Sequence, residues 1–379
     1  MPNQLKHDHF MVLALEQASH GQLIARPNPA VGCVLVKDNQ VVGAGFTQEV
    51  GGPHAEVMAI RAAGDLAKGA IAYVTLEPCS HYGRTPPCSL GLIQAGVACV
   101  VYGCQDPNPQ VAGQGLAQLR AANIKVVGPV MQMACEAFNR GFLQRMATNK
   151  PYVVNKMAMS LDGRTAMESG ESKWITGPKA RAQVHLLRAQ SCAVITGIGS
   201  VLRDDPSMNV RSDELALAGI PDNTAKRIKQ PLRVVLDSRL RMQATAKLLD
   251  QNGPIMVVTC VTDVQQHQYL IEVGVEVVVG VEDEKGKVDL ASVLAMLAKR
   301  QCNQVLVEAG AGLSGAFLQA GLTDHLVVFM APKLLGNKAK ALFNLPFDVM
   351  AQAYELDIKE ITQVGHDWRI DATPKGPES

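Results

Sequence analysis

Aromatic side chains are scarce in this sequence, since Phe, Tyr and Trp make up only 4% of its 379 residues. Apolar residues still reach 47%, so Val, Leu, Ile, Ala and Met must build the cores. No stretch approaches the roughly eighteen consecutive apolar residues of a membrane-spanning helix. The first ten residues are polar and lack the apolar centre of a signal peptide. We therefore expect a soluble cytoplasmic protein without a membrane partner.

An excess of charge of either sign is also missing. The net charge is +1, and no basic run stands out, which argues against nucleic acid as a partner. The nine cysteines are odd in number and scattered. In a reducing compartment they are expected to be metal ligands or small buried apolar residues rather than disulfides.

The chain is long enough for two α/β domains, with a boundary predicted at residues 148–151. Apolar periodicity predicts the following elements before it: helices at 8–20, 55–63, 89–95, 113–122 and 131–147, a hairpin at 31–46, and strands at 71–76, 97–103 and 124–127. After the boundary, strands alternate with helices, which indicates a largely parallel sheet. Residues 212–230 are expected to form a loop, and the tail after Thr373 to be disordered.

The strongest motif is His54-Ala55-Glu56, followed by Glu77-Pro78-Cys79 and then by Cys88. One imidazole and two thiolates fill three tetrahedral positions of Zn²⁺ and leave the fourth for a water molecule that the metal activates. Glu56, two residues after His54, can face that water and carry its proton to a leaving amine. This pattern is typical of zinc deaminases.

Two other interpretations of these residues stay open. A closed structural zinc site would need a fourth protein ligand, for which His81 is the nearby candidate. A nucleic-acid-editing deaminase would have two residues between its cysteines, whereas eight separate Cys79 from Cys88.

The long insertion between the cysteines resembles that of the bifunctional riboflavin-biosynthesis deaminase–reductase family. The matching segments are 26–32 (RPNPAVG), 54–56 (HAE) and 75–88 (TLEPCSHYGRTPPC). The resemblance extends over essentially the whole chain. It implies an N-terminal cytidine-deaminase-like domain, residues 1–148, and a C-terminal dihydrofolate-reductase-like domain, residues 149–379.

Within the first domain, the resemblance and the chemistry of the side chains point to substrate contacts. His81 and Arg84 could meet a ring edge, a ribose or a phosphate. Asn28, held between two prolines, could hydrogen-bond the pyrimidine. Asn28 could equally be a turn residue, and Arg84 a solvated surface charge.

The second half carries further matching segments: 155–163 (NKMAMSLDG), 174–177 (WITG), 197–206 (GIGSVLRDDP) and 308–315 (EAGAGLSG). The last contains glycines at the spacing of a dinucleotide fingerprint, but late in the domain and without an acidic residue about 20 positions on. We therefore interpret it as a pyrophosphate site in a dihydrofolate-reductase-like sheet rather than as a Rossmann domain. Tight strand–helix turns are the other interpretation.

By carry-over from the family, the resemblance implies contacts to NADPH at Ala158, Trp174, Ser200, Asp204, Ser238, Gly310, Ala311, Gly312, Leu313, Ser314, Gly315 and Ala316. It implies substrate contacts at Ser172, Arg188, Met208, Arg211 and Glu308, with the two arginines as clamps for a sugar phosphate. Lys156 and Glu308 are both candidates for the proton donor.

The metal motif predicts Zn²⁺ as a cofactor, and the resemblance implies NADPH as a second cofactor and a bifunctional enzyme. The first domain would hydrolyse the 2-amino group of a diaminopyrimidinone ribosylamine phosphate, and the second would reduce the ribosyl side chain to ribityl. Its partners would be this small molecule and further copies of itself in a homo-oligomer. A zinc-stabilised binding protein without catalysis is the rival from another class, but it leaves Glu56 unexplained.

Overall fold

The computed structural model describes residues 2–82, 86–108, 111–172 and 174–375, with only the backbone of residues 2–4. The chain divides into two compact units, Met1–Asn149 and Lys150–Ser379. Each unit is built on one large β-sheet with helices between its strands. Within the described residues, no helix has both the length and the apolar character that crossing a membrane requires.

A five-stranded sheet forms the centre of the N-terminal unit. Its strands are β1 (Gly32–Lys37), β2 (Gln40–Phe46), β3 (Ile71–Leu76), β4 (Cys99–Cys104) and β5 (Lys125–Val127), in the order β2-β1-β3-β4-β5. β1 pairs antiparallel with β2 and β3, and β3, β4 and β5 run parallel. The helices are α1 (Pro2–Gly21), α2 (Ala55–Ala63), α3 (Cys88–Gln94), α4 (Gln114–Ala121), α5 (Gln132–Phe138) and α6 (Arg140–Thr148), with a 3₁₀ turn at Gly64–Ala67.

Close packing of helices on this sheet depends on glycines. A Cβ atom at Gly32 would lie 1.8 Å from the Ala14 carbonyl oxygen of α1, so β1 can approach α1 only without a side chain there. At Gly45 of β2, a Cβ would lie 2.6 Å from the Ala55 carbonyl oxygen of α2. The absence of a side chain at Gly45 therefore lets the first turn of α2 pack in direct contact with β2.

A nine-stranded sheet forms the centre of the C-terminal unit, in the order β11-β10-β9-β8-β12-β6-β13-β16-β15. Its strands are β6 (Tyr152–Ser160), β8 (Ala193–Gly197), β9 (Leu232–Leu236), β10 (Ile255–Thr259), β11 (Glu276–Val279), β12 (Gln304–Glu308), β13 (His325–Ala331), β15 (Glu355–Val364) and β16 (Asp367–Lys375). β7 (Arg164–Ala166) and β14 (Lys340–Ala341) form a separate pair.

The helices of this unit are α7 (Pro178–Gln190), α8 (Ile198–Asp204), α9 (Ser212–Leu217), α10 (Asp222–Ala225), α11 (Gln268–Ile271), α12 (Leu290–Lys299) and α13 (Ala311–Gln319), and 3₁₀ turns lie at Lys247–Asp250, Val264–His267 and Met350–Gln352. Neighbouring strand residues enter cores on opposite faces of the sheet. Val153 and Val305 belong to one core cluster, and Val154 and Leu306 to another. Both faces are therefore covered, as expected for the parallel part of the sheet.

Three of the predicted segments are wrong in part. The single helix expected at 131–147 is two helices, α5 and α6, separated at Asn139, whose side-chain amide bonds the backbone of Ala30 instead of pointing to solvent. The loop expected at 212–230 contains the short helices α9 and α10. The tail expected to be disordered after Thr373 continues β16 as far as Lys375, because β16 pairs along its length with β15.

Candidate functional site

The predicted metal ligands of the N-terminal unit lie together. His54 is the residue before α2, Cys79 follows β3, and Cys88 is the first residue of α3. The three ligand atoms all lie within 4.8 Å of one another. His54 Nδ1 is 3.2 Å from Cys88 Sγ and 3.7 Å from Cys79 Sγ. His81, the candidate fourth ligand of a closed site, is not part of this described cluster.

Glu77 fixes the loop that carries Cys79. Its Oε2 atom accepts the Gly113 N–H at 3.1 Å, at the N-terminal end of α4. A Cβ at Gly115 would lie 1.9 Å from the Pro78 carbonyl oxygen, so α4 packs directly against this loop. The Cys88 N–H in turn donates to Cys79 Sγ at 3.3 Å. These backbone contacts position the Cys79 and Cys88 thiols independently of a metal ion.

The contact between the two thiols affects the acidity of both. Interaction with the Cys88 thiol, and then with His54, lowers the pKa of Cys79. The same contact with Cys79, together with burial, raises the pKa of Cys88 well above its ordinary value. One thiolate forms readily, and the second needs a compensating cation. A divalent metal is the species that such a donor set accommodates.

Glu56 lies in the first turn of α2, and its side chain is buried. Burial raises the pKa of Glu56, and the neighbouring charge of Cys79 adds to the effect. A buried carboxyl beside three metal-binding side chains is suited to carrying a proton.

The predicted pyrimidine contacts have different outcomes. Asn28 is half-buried in the segment before β1, where its N–H donates to the Ala25 carbonyl oxygen at 2.9 Å. His81 Nδ1 is buried and has no hydrogen-bond partner within the described residues. Arg84 lies outside the described residues.

A residue that sequence reasoning missed, Asp106, is buried near Glu77 and Cys79, and burial raises its pKa to about 6.

The C-terminal unit contains a cavity of about 890 Å³. Most of the residues predicted for this unit line it, namely Ala158, Ser172, Trp174, Arg188, Ser200, Asp204, Met208, Arg211, Glu308, Gly310, Ala311, Gly312 and Leu313. Ser238, Ser314, Gly315 and Ala316 do not belong to its lining. The basic residues Arg181, Arg203, Lys247 and Lys340 also line it and were not predicted.

The glycine segment before and within α13 serves two purposes. Gly310 precedes α13, and a Cβ there would lie 3.9 Å from Ser200 Oγ, while a Cβ at Gly312 would meet open space. Gly315 instead lies against backbone, because a Cβ there would be 2.6 Å from the Asn344 carbonyl oxygen. Ser238, also a predicted cofactor contact, instead uses its Oγ to accept the Val288 N–H at 3.0 Å. Gly310 and Gly312 are therefore the ones positioned to face a ligand.

Charged groups meet at one end of the cavity. Arg188 Nε and Nη2 donate to the two carboxylate oxygens of Glu308 at 2.6 and 2.9 Å, and Nη1 donates to the Asn209 carbonyl oxygen at 2.9 Å. Burial alone would raise the pKa of Glu308, but Arg188 holds it below its ordinary value. Burial lowers the pKa of Lys156, and the negative charge of Glu308 acts against this shift.

Helix α7 supplies one side of this end. Arg181, His185 and Arg188 follow one another at helical spacing and all line the cavity. The Arg181 guanidinium lies 4.5 Å from the centre of the Trp174 ring, a cation–π contact. His185 was not predicted, although its spacing from Arg188 was a signal that could have identified it.

Comparison with known proteins follows the same division of the chain. Residues 4–104 match the family model described as "Cytidine and deoxycytidylate deaminase zinc-binding region", and residues 151–370 match "RibD C-terminal domain". Together with the observed sheets, these matches confirm the predicted α/β class and the deaminase-like N-terminal fold.

Full-length relatives are similar over nearly all of the chain. "Riboflavin biosynthesis protein RibD" of Escherichia coli is 47% identical over 364 residues, which cover 96% of this chain and 98% of that protein. Its counterpart of Haemophilus influenzae is 46% identical over 368 residues, 97% of each.

Solved structures agree. Acinetobacter baumannii RibD, form 2, superposes with a TM-score of 0.90 at 45% identity, covering 98% of this chain and 100% of that one. A Thermotoga maritima protein described as a diaminohydroxyphosphoribosylaminopyrimidine deaminase/5-amino-6-(5-phosphoribosylamino)uracil reductase superposes with a TM-score of 0.85 at 30% identity, with coverage of 98% and 100%.

Proposed function

This chain belongs to the RibD family of bifunctional riboflavin-biosynthesis deaminase–reductases, and we propose that each unit carries one of the two activities. The unit at residues 1–148 would hydrolyse the 2-amino group of 2,5-diamino-6-ribosylamino-4(3H)-pyrimidinone 5′-phosphate. The unit at residues 149–379 would then reduce the ribosyl side chain to ribityl with NADPH. The single observation that carries this proposal is the cluster of His54, Cys79 and Cys88 with buried Glu56 beside it.

The donor set fits zinc. One imidazole and two thiols, with ligand atoms within 4.8 Å of one another, supply three protein ligands and leave a position for substrate chemistry. His54, Cys79 and Cys88 would hold the ion. Zinc at this site supplies Lewis acidity, which makes water a better nucleophile near neutral pH.

Glu56 would move the protons of the deamination. Its carboxylate is buried and interacts with the neighbouring side chains of Cys79, His54 and Cys88. From there it can take a proton from the attacking water and return it to the amine nitrogen that leaves as ammonia.

In the C-terminal unit, NADPH would lie along Ser200 and the segment from Gly310 to Leu313, where Gly312 leaves open space at the cavity wall. The cofactor supplies the hydride. Of the two candidate proton donors, Glu308 is held ionised by Arg188 and is a poor acid. Lys156 is half-buried in the cavity wall and has a lowered pKa, which makes it the better donor.

The remaining assignments concern surroundings and assembly. The substrate is a small molecule, and a cytoplasmic location fits the odd number and scattered positions of the nine cysteines. A homo-oligomer is supported by the edge strand β15, on which Leu356, Ile358 and Ile361 are each about half exposed.

The decisive variant is Glu56→Gln, which replaces the carboxylate with an amide of nearly the same shape. It should retain its metal and lose ammonia release by about 10²–10⁴-fold. The product of the first reaction is the pyrimidine ribosylamine phosphate without its 2-amino group, called the deaminated sugar phosphate below. Given this compound, the same variant should still oxidise NADPH at the wild-type rate. Near-normal ammonia release by the metal-loaded variant would remove Glu56 from the reaction, and an equal loss of both activities would contradict the division between units.

A further inference from the structure

His185 is a buried histidine for which neither the motifs nor the proposed mechanism has a use. It lies on α7, only 4% of its surface is exposed, and its ring lines the cavity of the C-terminal unit. Arg181 and Arg188, four residues before it and three after it on the same helix, line the cavity as well. The ring therefore belongs to the wall that faces the ligand.

The hydrogen bonds of the ring define its tautomer. The Arg211 backbone N–H donates to His185 Nδ1 at 3.2 Å. A neutral imidazole carries one N–H, so with Nδ1 accepting, the hydrogen is on Nε2. In the part of the chain that the structure describes, the hydrogen bond to Nδ1 is the one that the ring makes, and His185 lines the cavity. The Nε2–H group is thus a donor open to the cavity.

The surroundings keep this ring neutral. Burial is the main cause, and the nearby charges of Arg188 and Arg211 add to it, so that the pKa of His185 falls to about 3, although the charges of Glu308 and Asp213 oppose the shift. At neutral pH the ring is then a donor at Nε2 and an acceptor at Nδ1, without a charge of its own.

The neighbouring arginines are held in place by protein acceptors. Each of the three Arg188 guanidinium nitrogens donates to one protein acceptor. Arg211 Nη2 donates to Glu214 Oε1 at 2.7 Å. The Nε2–H of His185 can therefore bind a ligand without breaking one of these contacts.

We propose that His185 is a substrate-binding residue of the reductase site, whose Nε2–H donates a hydrogen bond to an oxygen of the substrate's sugar-phosphate portion. An N–H donor requires an acceptor such as oxygen, and the sugar-phosphate portion of the substrate is rich in oxygen. The neighbours of the ring are Arg188, Arg211 and Glu308, which are expected to contact the substrate, so the acceptor is assigned to the substrate and not to the cofactor. This inference rests on the proposed function of the C-terminal unit.

Two matched substitutions separate the roles of the two ring nitrogens. His185→Asn keeps an oxygen near the Nδ1 position that can accept the Arg211 N–H, but it has no donor at the Nε2 position. His185→Gln places an amide nitrogen close to the Nε2 position. With the deaminated sugar phosphate as substrate, the Asn variant should raise KM about 3- to 10-fold, the effect of one lost hydrogen bond. Its kcat and its KM for NADPH should change little, and the Gln variant should restore most of the substrate KM.

Three results would overturn the proposal in an active wild-type enzyme: an unchanged substrate KM in the Asn variant, an increase in the KM for NADPH instead, or a Gln variant as impaired as Asn. If the Asn variant does not fold, the wild-type protein still provides a test. With ¹⁵N-labelled histidine, the His185 Nε2–H resonance should shift when the deaminated sugar phosphate is added and should not shift with NADPH alone. Absence of any NADPH oxidation by the wild-type protein with this substrate is a separate outcome, which removes the proposed function itself.

Discussion

Asn139 holds Ala30 by both of its backbone groups. The Asn139 Oδ1 atom accepts the Ala30 N–H at 2.9 Å, and Nδ2 donates to the Ala30 carbonyl oxygen at 2.9 Å. Asn139 is buried between α5 and α6, and Ala30 lies two residues after Asn28. The break between two helices is thereby linked to the segment that carries a predicted pyrimidine contact.

Substitution of Asn139 should destabilise the N-terminal unit. Asn139→Ala leaves a buried N–H and a buried carbonyl of Ala30 without partners, which should cost roughly 2–4 kcal/mol. Asn139→Asp keeps the acceptor but faces the Ala30 carbonyl with a carboxylate. Thermal unfolding by circular dichroism measures the loss, and hydrogen exchange of residues 26–34 locates it. The exposed Gln132→Ala on α5 is the control, and equal stability of both alanine variants would contradict the prediction.

Zinc content should depend on Cys88 and not on cysteines in general. Cys88→Ser removes one of three ligands, so elemental analysis should show a large loss of zinc from the purified protein. Cys99→Ser changes another buried cysteine of the same unit, on β4, and should leave one zinc per chain. Full zinc retention in the Cys88 variant would remove this residue from the metal site.

Local patterns predicted the regular parts of the fold well. The helix at 55–63 and the strand at 71–76 have the predicted bounds, because their apolar periodicity agrees with how they pack. Asn139 was not recognisable as a break, since its partner Ala30 is 109 residues away. The strand β15 was not predicted, because its apolar alternation is short and stops where the register shifts between Ile358 and Glu360.

The same limit applies to the sites. The spacing of His54, Cys79 and Cys88 predicted a cluster that the structure brings together, because a metal requires several specific residue types at once. Glycine spacing alone could not separate Gly310, which faces the cavity, from Gly315, which packs on Asn344. For His185 the sequence offered only its helical spacing from Arg188, and its partner is a backbone N–H that the fold brings near.

Acid should weaken the C-terminal unit through His185. Its pKa is about 3 in the folded protein and about 6.5 in the unfolded chain, so the unfolded state binds more protons between these values. The contribution to stability is therefore complete above pH 6.5 and is lost as pH falls toward 3. Between pH 7.5 and 5 the loss from this residue should be roughly 2 kcal/mol.

Fluorescence can isolate this effect, because the two tryptophans, Trp174 and Trp368, both lie in the C-terminal unit. Urea unfolding curves at the two pH values should show that His185→Gln has lost about 2 kcal/mol of the pH dependence of the wild-type protein. The comparison is between pH dependences, so any loss common to both pH values cancels. Identical pH dependence in the two proteins would show that His185 is not held neutral by the fold.

The C-terminal unit should fold and act alone. All nine strands of its sheet come from the unit itself, and its first strand, β6, lies in the interior of the sheet between β12 and β13. A fragment that begins at Lys150 keeps the whole of β6, including the Tyr152 N–H that donates to the Asn303 carbonyl oxygen at 2.8 Å. A fragment that begins at Asn155 lacks the first three residues of β6 and should fail to fold, which makes it the matched control.

The longer fragment should bind NADPH in preference to NADH, since the basic residues Arg203, Lys247 and Lys340 line the cavity and can meet the extra phosphate. It should oxidise NADPH with the deaminated sugar phosphate and release no ammonia. If the longer fragment is folded by tryptophan fluorescence but neither binds nor oxidises NADPH, the assignment of the reductase to this unit is wrong, and the metal site of the other unit is unaffected by that result.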